Sequence, residues 1–408
     1  MSEPSEQRMQ DEGALARSVD QSHDAIDTSR AALKQDPFNW RLALELKQAL
    51  KVALHYPDSD PLFRVAARHL PDQEWLHHYT ALYAFHGSDL AVLDARGRAM
   101  LAGRPDYAPL HALLGDIARQ RRDWDGAATA FKAAAALDPA HPDYTLKYQA
   151  AYRYQAFARH MAACPVSGEA FQVLVVNLDR NAERWDEIGV QFAGCVAPVQ
   201  RVAGIEGSRL ASSAVQRLTL DAVSPRGTLG CFLSHAAAWQ VVVDRSLKQA
   251  LVVEDDVIPL IDLPARAGPL GLPDGYDVCF VNDRLEPRRD TTTPTPHPLA
   301  EIMQEFYPED NAPGGDGYFV SQAGARRLLD WVKTDGFAAD VDWRLLAYGL
   351  YPAEVEALPP SHARTHLREL PVARPERLRA YVLHPALIRT VGVSSDREDQ
   401  NRLAEGRR

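Results

Sequence analysis

ALVVEDDV, residues 250 to 257, decides the reading of this chain: an apolar run as long as a buried strand that ends in three consecutive carboxylates. Two runs of the same kind flank it. FQVLVVNL (171 to 178) precedes it and leads into NLDRNAER (177 to 184), while YDVCFVN (276 to 282) follows and stops at Asn282 and Asp283. Amphipathic stretches separate the runs, so from Phe171 onward the chain is expected to alternate strand and helix as an α/β domain. Ligands of open α/β sheets sit outside the carboxyl ends of the strands. Three strand ends carrying polar residues therefore outline one candidate site.

Successive strand residues point to opposite faces, which puts Glu254 and Asp256 on one side and Asp255 on the other. Two carboxylates on one side can hold a hard divalent cation, whose shell is usually completed by water and a substrate diphosphate. Taken alone, the same triplet also suits a solvated turn or a helix start.

The first 163 residues follow a different grammar. Prolines stand at Pro37, Pro71, Pro105 and Pro139, each 34 residues after the last, which is the period of a two-helix tetratricopeptide unit. In the best copy, Leu114, Gly115, Ala118, Ala127, Phe131, Ala134 and Pro139 fall at offsets that resemble the tetratricopeptide consensus. Gly115 and Ala127 are small where two helices must cross closely, and Pro139 stops a helix it cannot continue. The copy ending at Pro105 is weaker, with Ala81 and Gly97 in place of the consensus glycine and aromatic. Residues 14 to 163 are thus expected to form an all-α, tetratricopeptide-like solenoid whose concave face can hold a peptide or protein partner. The plainer alternative is a helical extension that dimerises or shields the following domain. YQAAYRYQAFARHMAA (148 to 163) reads as a capping or connecting helix, and CPVSGE (164 to 169) as the boundary before a second domain at 170 to 396.

Composition excludes several functions. A net charge of −10 gives no general basic face for a nucleic-acid backbone. No stretch approaches the roughly 18 to 20 uninterrupted apolar residues of a membrane span, and the polar opening MSEPSEQRMQDEG lacks a secretory apolar segment. A cytoplasmic protein is expected, with peripheral association at the inner membrane face as an option. Cys164, Cys195, Cys231 and Cys279 show no C-x-x-C spacing and read as isolated thiols.

NLDRNAER (177 to 184), GTLGCFLSHAAAW (227 to 239), ALVVEDDV, GDGYFVSQAGARRLL (315 to 329), DVDW (340 to 343) and the closing HPALIRTVGVSSD (384 to 396) occur in an order and spacing that resemble glycosyltransferase family 25, the lipooligosaccharide and collagen galactosyltransferase group. The likeness covers about residues 171 to 396 and leaves out the repeats. It implies a GT-A-like, Rossmann-like nucleotide-sugar fold and a UDP-sugar donor, often UDP-galactose. It further implies a Mn²⁺-type divalent metal and inversion at the anomeric carbon. The acceptor would be a glycan, lipooligosaccharide or protein.

Carried over residue by residue, the likeness gives Glu254 and Asp256 as the metal pair, with Asp256 the direct ligand. Asn177, Asp179, Arg180, Arg184, Ser234, Asp255 and Asn282 become donor-binding candidates. For Asn177 to Arg184 the bland alternative is a capped helix start with surface arginines. Asp342 is the first choice for the base that inverting transfer needs, its rival role being the N-cap of the helix WRLLAY. His235, on the apolar-sided helix GCFLSHAAAW, is the second catalytic candidate, although a lone histidine there is more often structural. Asp316 and Asp340 are acceptor or lid candidates, against plain turn aspartates. The family usually has glutamate where Thr228 stands. Ser321 reads as an N-cap, EPRRDTTTPTPHP (286 to 298) as a loop that could close over the donor, and PPSHARTHLRELPVARPE (359 to 376) as an irregular basic stretch. The competing reading is an interaction scaffold: binding repeats joined to a catalytically inactive transferase-like domain.

Overall fold

The computed structural model describes residues 90–390, apart from 221, 223, 286–290, 306–313, 371, 373 and 374, together with residues 28, 29, 31 and 32. The chain divides into two units, Met1–Tyr83 and Ala84–Arg408. Of the first, residues 28, 29, 31 and 32 are helical. The repeat copies around Pro37 and Pro71 lie outside the described residues, as do Ser395 and Asp396.

The second unit opens with four helices, each packed on the next: α1 (Leu90–Gly103), α2 (Ala108–Gln120), α3 (Trp124–Leu137) and α4 (Pro142–Ala163). Asp123 caps α3 by accepting a hydrogen bond from Gly126 N at 2.9 Å. A Cβ at Gly115 would lie 2.7 Å from the Phe131 ring, so α2 and α3 approach as they do only because position 115 has no side chain. Helix α4 takes in the whole of 148–163, as its pattern predicts.

The α/β part follows as β1 (Gln172–Asn177), α5 (Ala182–Gln191), β2 (Val199–Ala203), α6 (Ser212–Thr219), α7 (Arg226–Asp244), β3 (Gln249–Glu254), β4 (Val257–Pro259), β5 (Val278–Phe280), β6 (Thr295–Pro298), α8 (Leu299–Glu305) and β7 (Gly317–Ser321). It closes with α9 (Gln322–Asp335), α10 (Val341–Gly349), α11 (Pro352–Ala357), α12 (His362–Glu369), β8 (Ala380–His384) and β9 (Ile388–Thr390). Seven strands form one mixed sheet in the order β2-β1-β3-β7-β5-β8-β6, and β4 pairs with β9 beside it. Strands β2, β1, β3, β5 and β8 run one way while β7 and β6 oppose them. One edge of the sheet therefore collects the ends of β1, β3 and β5 and the start of β7, which brings Asn177, Glu254, Asn282 and Asp316 to the same side.

The sheet is buried on both faces, with the period of two that strands impose. Leu174, Ala250, Val252, Val278, Phe280, Tyr318 and Val320 pack under α7, α9 and α10. Val173, Val175, Leu251, Val253, Cys279 and Phe319 pack on the other face against Trp124, Phe131, Tyr154 and Phe157 of α3 and α4. The hydrophobic core thus runs across the 164–169 stretch, where the secondary structure changes. Trp124 Nε1 donates to Leu260 O at 2.8 Å and Tyr154 Oη to Ala386 O at 3.2 Å, each fixing the helices to the chain beside β4 and β9.

Two loop expectations are corrected. Thr295–Pro298 is the strand β6, and it tolerates Pro296 and Pro298 because it is the outermost strand of the sheet. Within the expected irregular stretch 359 to 376, His362–Glu369 forms α12, capped by Ser361, which accepts from Arg364 N at 3.2 Å. Its Ala363 and Leu367 are buried at i, i+4, a two-residue apolar stripe hidden among histidines and arginines.

Candidate active site

Strand β3 ends at Glu254, and Asp255 and Asp256 form the turn into β4. The three carboxylates diverge as the alternation argument expects. Asp255 turns toward β1, where it accepts from Asn177 Nδ2 at 2.7 Å and Arg184 Nη1 at 3.0 Å. Asn177 is buried and fully used: its amide also donates to Asn181 O at 3.0 Å, and its oxygen accepts from Arg201 Nε at 2.6 Å. Arg201 reaches on to Asp179 at 2.6 Å, and Arg180 lies 3.5 Å from Glu206. Asn177 and Arg184 thus hold the Asp255 carboxylate directly, and sequence reasoning missed Arg201, which joins Asn177 to Asp179 in the same polar rim. Its one signal was the pairing of β2 with β1, in which Arg201 stands opposite Val175.

Glu254 and Asp256 sit in an acidic group with Asp316. The backbone N–H of Glu254 donates to Asp316 O at 3.2 Å, so β3 and the segment leading into β7 are clasped where their carboxylates emerge. Burial, then the neighbouring Glu254 and Asp316 charges, hold the Asp256 carboxyl well above the usual carboxylate range. Burial and Glu254 likewise raise Asp316, against the opposing pull of Arg284. Arg284 forms an ion pair with Asp316, and Thr390 Oγ1 donates to the same carboxylate at 2.7 Å. Neither Arg284 nor Thr390 was singled out from sequence, since their role depends on β5 and β9 converging on Asp316. Asp256 Oδ1 is buried and makes no hydrogen bond among the described residues. A cation beside this carboxylate would supply the missing partner and offset the repulsion.

His235 is fully buried on α7. Trp239 Nε1 donates to Tyr318 Oη at 2.8 Å, and the same hydroxyl is hydrogen-bonded to His235 Nδ1 at 2.9 Å. His235 Nε2 then faces Glu254 Oε1 at 3.4 Å. His235, expected as a catalytic candidate, is thus fully buried and faces the site through Glu254.

Ser234 and Asn282, expected to bind donor, are buried and engaged with the protein's own backbone. Ser234 Oγ donates to Gly230 O and accepts from Ile205 N, both at 2.7 Å, holding the loop after β2 against α7. That approach is close enough that a Cβ at Gly207 would overlap the Arg226 carbonyl. Asn282 Nδ2 donates to Gly314 O at 2.8 Å and its oxygen accepts from Arg284 N at 3.2 Å, bracing the segment that carries Asp316.

Asp342 lies in the first turn of α10 and accepts from Trp343 N at 2.9 Å; the N-cap position belongs to Asp340, whose side chain makes no capping hydrogen bond. A Cβ at Gly315 would lie 3.4 Å from Val341 Cγ1 and 3.6 Å from His235 Cε1. Gly315 therefore brings the start of α10, with Asp340 and Asp342, up beside the acidic cluster.

The carboxylate cluster and the arginine-bearing polar rim thus lie at the carboxyl ends of the strands, where open α/β sheets bind their ligands. Residues 170–261, which hold β1 to β4 and the E-D-D turn, match glycosyltransferase family 25 (LPS biosynthesis protein), as the motifs imply. Procollagen galactosyltransferase 2 of Homo sapiens is 31% identical over 97 residues, 21% of this chain and 16% of the relative. Procollagen galactosyltransferase 1 of Danio rerio is 25% identical over 176 residues, 39% of this chain and 28% of the relative. The human inactive glycosyltransferase 25 family member 3 is 32% identical over 97 residues. The chain thus matches between about a sixth and just over a quarter of the length of these relatives. Among the described residues, no helix is long and apolar enough to cross a membrane.

Proposed function

We infer that this chain is an inverting, metal-assisted glycosyltransferase that moves a hexose, galactose first among the candidates, from a UDP-sugar to a hydroxyl of a glycan, lipooligosaccharide or protein acceptor. The observation that carries this reading is the split of the E-D-D turn. Asp255 is tied into the Asn177 and Arg184 rim, while Glu254 and Asp256 gather with Asp316 around a buried carboxylate oxygen in want of a partner.

Glu254 and Asp256 would hold the cation, with Mn²⁺ the expected ion. When bound, it would neutralise charge building on the departing diphosphate. The protein's own residues supply the rest. Arg184, held by Asp255, would offer its guanidinium to the nucleotide. Asp342 takes the proton of the acceptor hydroxyl as its oxygen bonds to the anomeric carbon and the bond to UDP breaks. His235, fixed by Tyr318, keeps Glu254 in place. The helical repeats would recruit or orient the acceptor.

Incubation with UDP-galactose and Mn²⁺ tests the reading through release of UDP. Slow hydrolysis that disappears in Asp256→Asn supports it. The names of relatives called inactive favour one rival, a scaffold with a silent transferase domain. No hydrolysis together with no UDP binding would establish that rival instead.

A further inference from the structure

Beside the acidic cluster lies a second set of metal-ligating groups of different chemistry. Cys231 and His235 stand four residues apart on α7, on one helix face. Their Sγ and ring nitrogen lie with a Glu254 oxygen so that all three ligand atoms are within 4.8 Å of one another. His235 Nε2, the ring nitrogen that faces Glu254 Oε1, is buried and makes no hydrogen bond among the described residues. Its other nitrogen, Nδ1, lies 2.9 Å from Tyr318 Oη, and with the Nδ1 proton donated to that oxygen Nε2 is left unprotonated to meet a metal. Burial pushes the Tyr318 phenol up, so the hydroxyl stays neutral beside Nδ1.

We propose that Cys231, His235 and Glu254 form a binding site for a thiophilic divalent cation, with Zn²⁺ its natural occupant. Tetrahedral zinc, at about 2.0 to 2.3 Å from each ligand, sets ligand atoms roughly 3.3 to 3.7 Å apart. His235 Nε2 and Glu254 Oε1, at 3.4 Å, already meet that spacing. Three protein ligands leave the fourth position to water, and the Glu254 side chain, 31% exposed, gives the ion a way in. Thiolate and imidazole select zinc or cobalt, whereas an all-carboxylate group suits manganese or magnesium. The consequence rests on the proposed transferase reading: both sites claim Glu254, so Zn²⁺ bound here withdraws a carboxylate from the other cation and inhibits transfer.

The experiment titrates the full chain with Co²⁺, a spectroscopic stand-in for Zn²⁺. The expected result is a thiolate-to-cobalt charge-transfer band in the near ultraviolet, saturating at one equivalent and bleached by Zn²⁺. Cys231→Ala should lose the band. Cys164→Ala should keep it, although Cys164 Sγ lies 3.3 Å from His160 Nε2 and offers a competing Cys–His pair. No band in the wild-type protein, or a band that follows Cys164, overturns the site. Protection of Cys231 from alkylation by Zn²⁺, read by mass spectrometry on the wild-type chain, repeats the test without a variant; equal labelling with and without Zn²⁺ overturns it. Neither readout needs transfer to occur, so failure here is distinct from failure of the transferase reading. If the band forms and Zn²⁺ leaves Mn²⁺-supported turnover unchanged, the inhibitory consequence falls.

Discussion

Arg184 Nη1 donates to Asp255 Oδ1 at 3.0 Å, joining the start of α5 to the turn after β3 across a sequence gap of 71 residues. With its other oxygen on Asn177, Asp255 is committed to the rim and is not a third metal carboxylate. The pair therefore divides the candidate site into an arginine-bearing rim and an acidic cluster.

Asp255→Asn should break that division. The substitution exchanges a carboxylate accepting two hydrogen bonds, one of them from a guanidinium, for a neutral amide, and leaves Arg184 poorly paired. Hydrogen bonds to charged groups contribute about 1.5 to 3 kcal/mol each when largely buried, and the Asp255 side chain is 10% exposed. Chemical denaturation should show a loss of that order, and calorimetry a weakened affinity for UDP. Unchanged UDP affinity would separate the rim from the donor site.

Asp256 yields a pH signature. Its carboxyl is raised in the folded protein above an unfolded value near 3.9. Without metal, its contribution to stability is present below about pH 4 and is lost as pH rises through the raised folded value. Thermal unfolding in chelator should show Tm falling with pH over that interval, and Asp256→Asn should flatten the fall and exceed wild type at neutral pH. Added Mn²⁺, bound to the folded state alone, should raise the wild-type Tm and leave the variant's unchanged. Parallel curves for the two proteins would remove Asp256 from the cation site.

Local pattern made much of this arrangement legible. The apolar runs of β1, β3 and β5, the helix carrying Ser234 and His235, the Ser321 cap and the period-two split of Glu254 from Asp255 all follow from residue spacing. What stayed hidden depends on strands distant in sequence. Arg201 matters because β2 pairs with β1, Arg284 and Thr390 because β5 and β9 meet at Asp316, and Tyr318 because β7 lies under α7. Ser234 and Asn282 show what motif position alone does not: both are buried with polar groups bonded to backbone. Cys231 was passed over because cysteine spacing tests only pairs of cysteines, and its neighbours are a histidine one turn on and a glutamate on another strand.

Asp342→Asn addresses proton transfer alone. The amide oxygen can still accept from Trp343 N, so the first turn of α10 should keep its geometry. Loss of a general base typically costs about 10²- to 10⁴-fold in rate. Turnover should fall within that range while UDP affinity holds. An equal loss in both would make Asp342 a binding residue, and no loss would pass the base role to another carboxylate, with Asp340 beside it the first to test.

The helices α3 and α4 are expected to be indispensable to the sheet as well as candidates for acceptor binding. Trp124, Phe131, Tyr154 and Phe157 cover the face of the sheet carried by Val173, Val175, Leu251, Val253 and Phe319. A chain beginning at residue 170 would leave that apolar face in water, and exposed patches of this kind drive aggregation. Such a chain should be insoluble, whereas one beginning at residue 90 should fold. Trp124→Ala offers the graded version. It removes the indole stacked at 4.7 Å on Tyr154 and the hydrogen bond to Leu260 O, and buried aromatic truncations cost about 3 to 5 kcal/mol. Denaturation should show one cooperative transition shifted by that amount, because core and helices unfold together. A separate early transition for the helices, with the sheet unaffected, would show instead that they fold as an independent appendage.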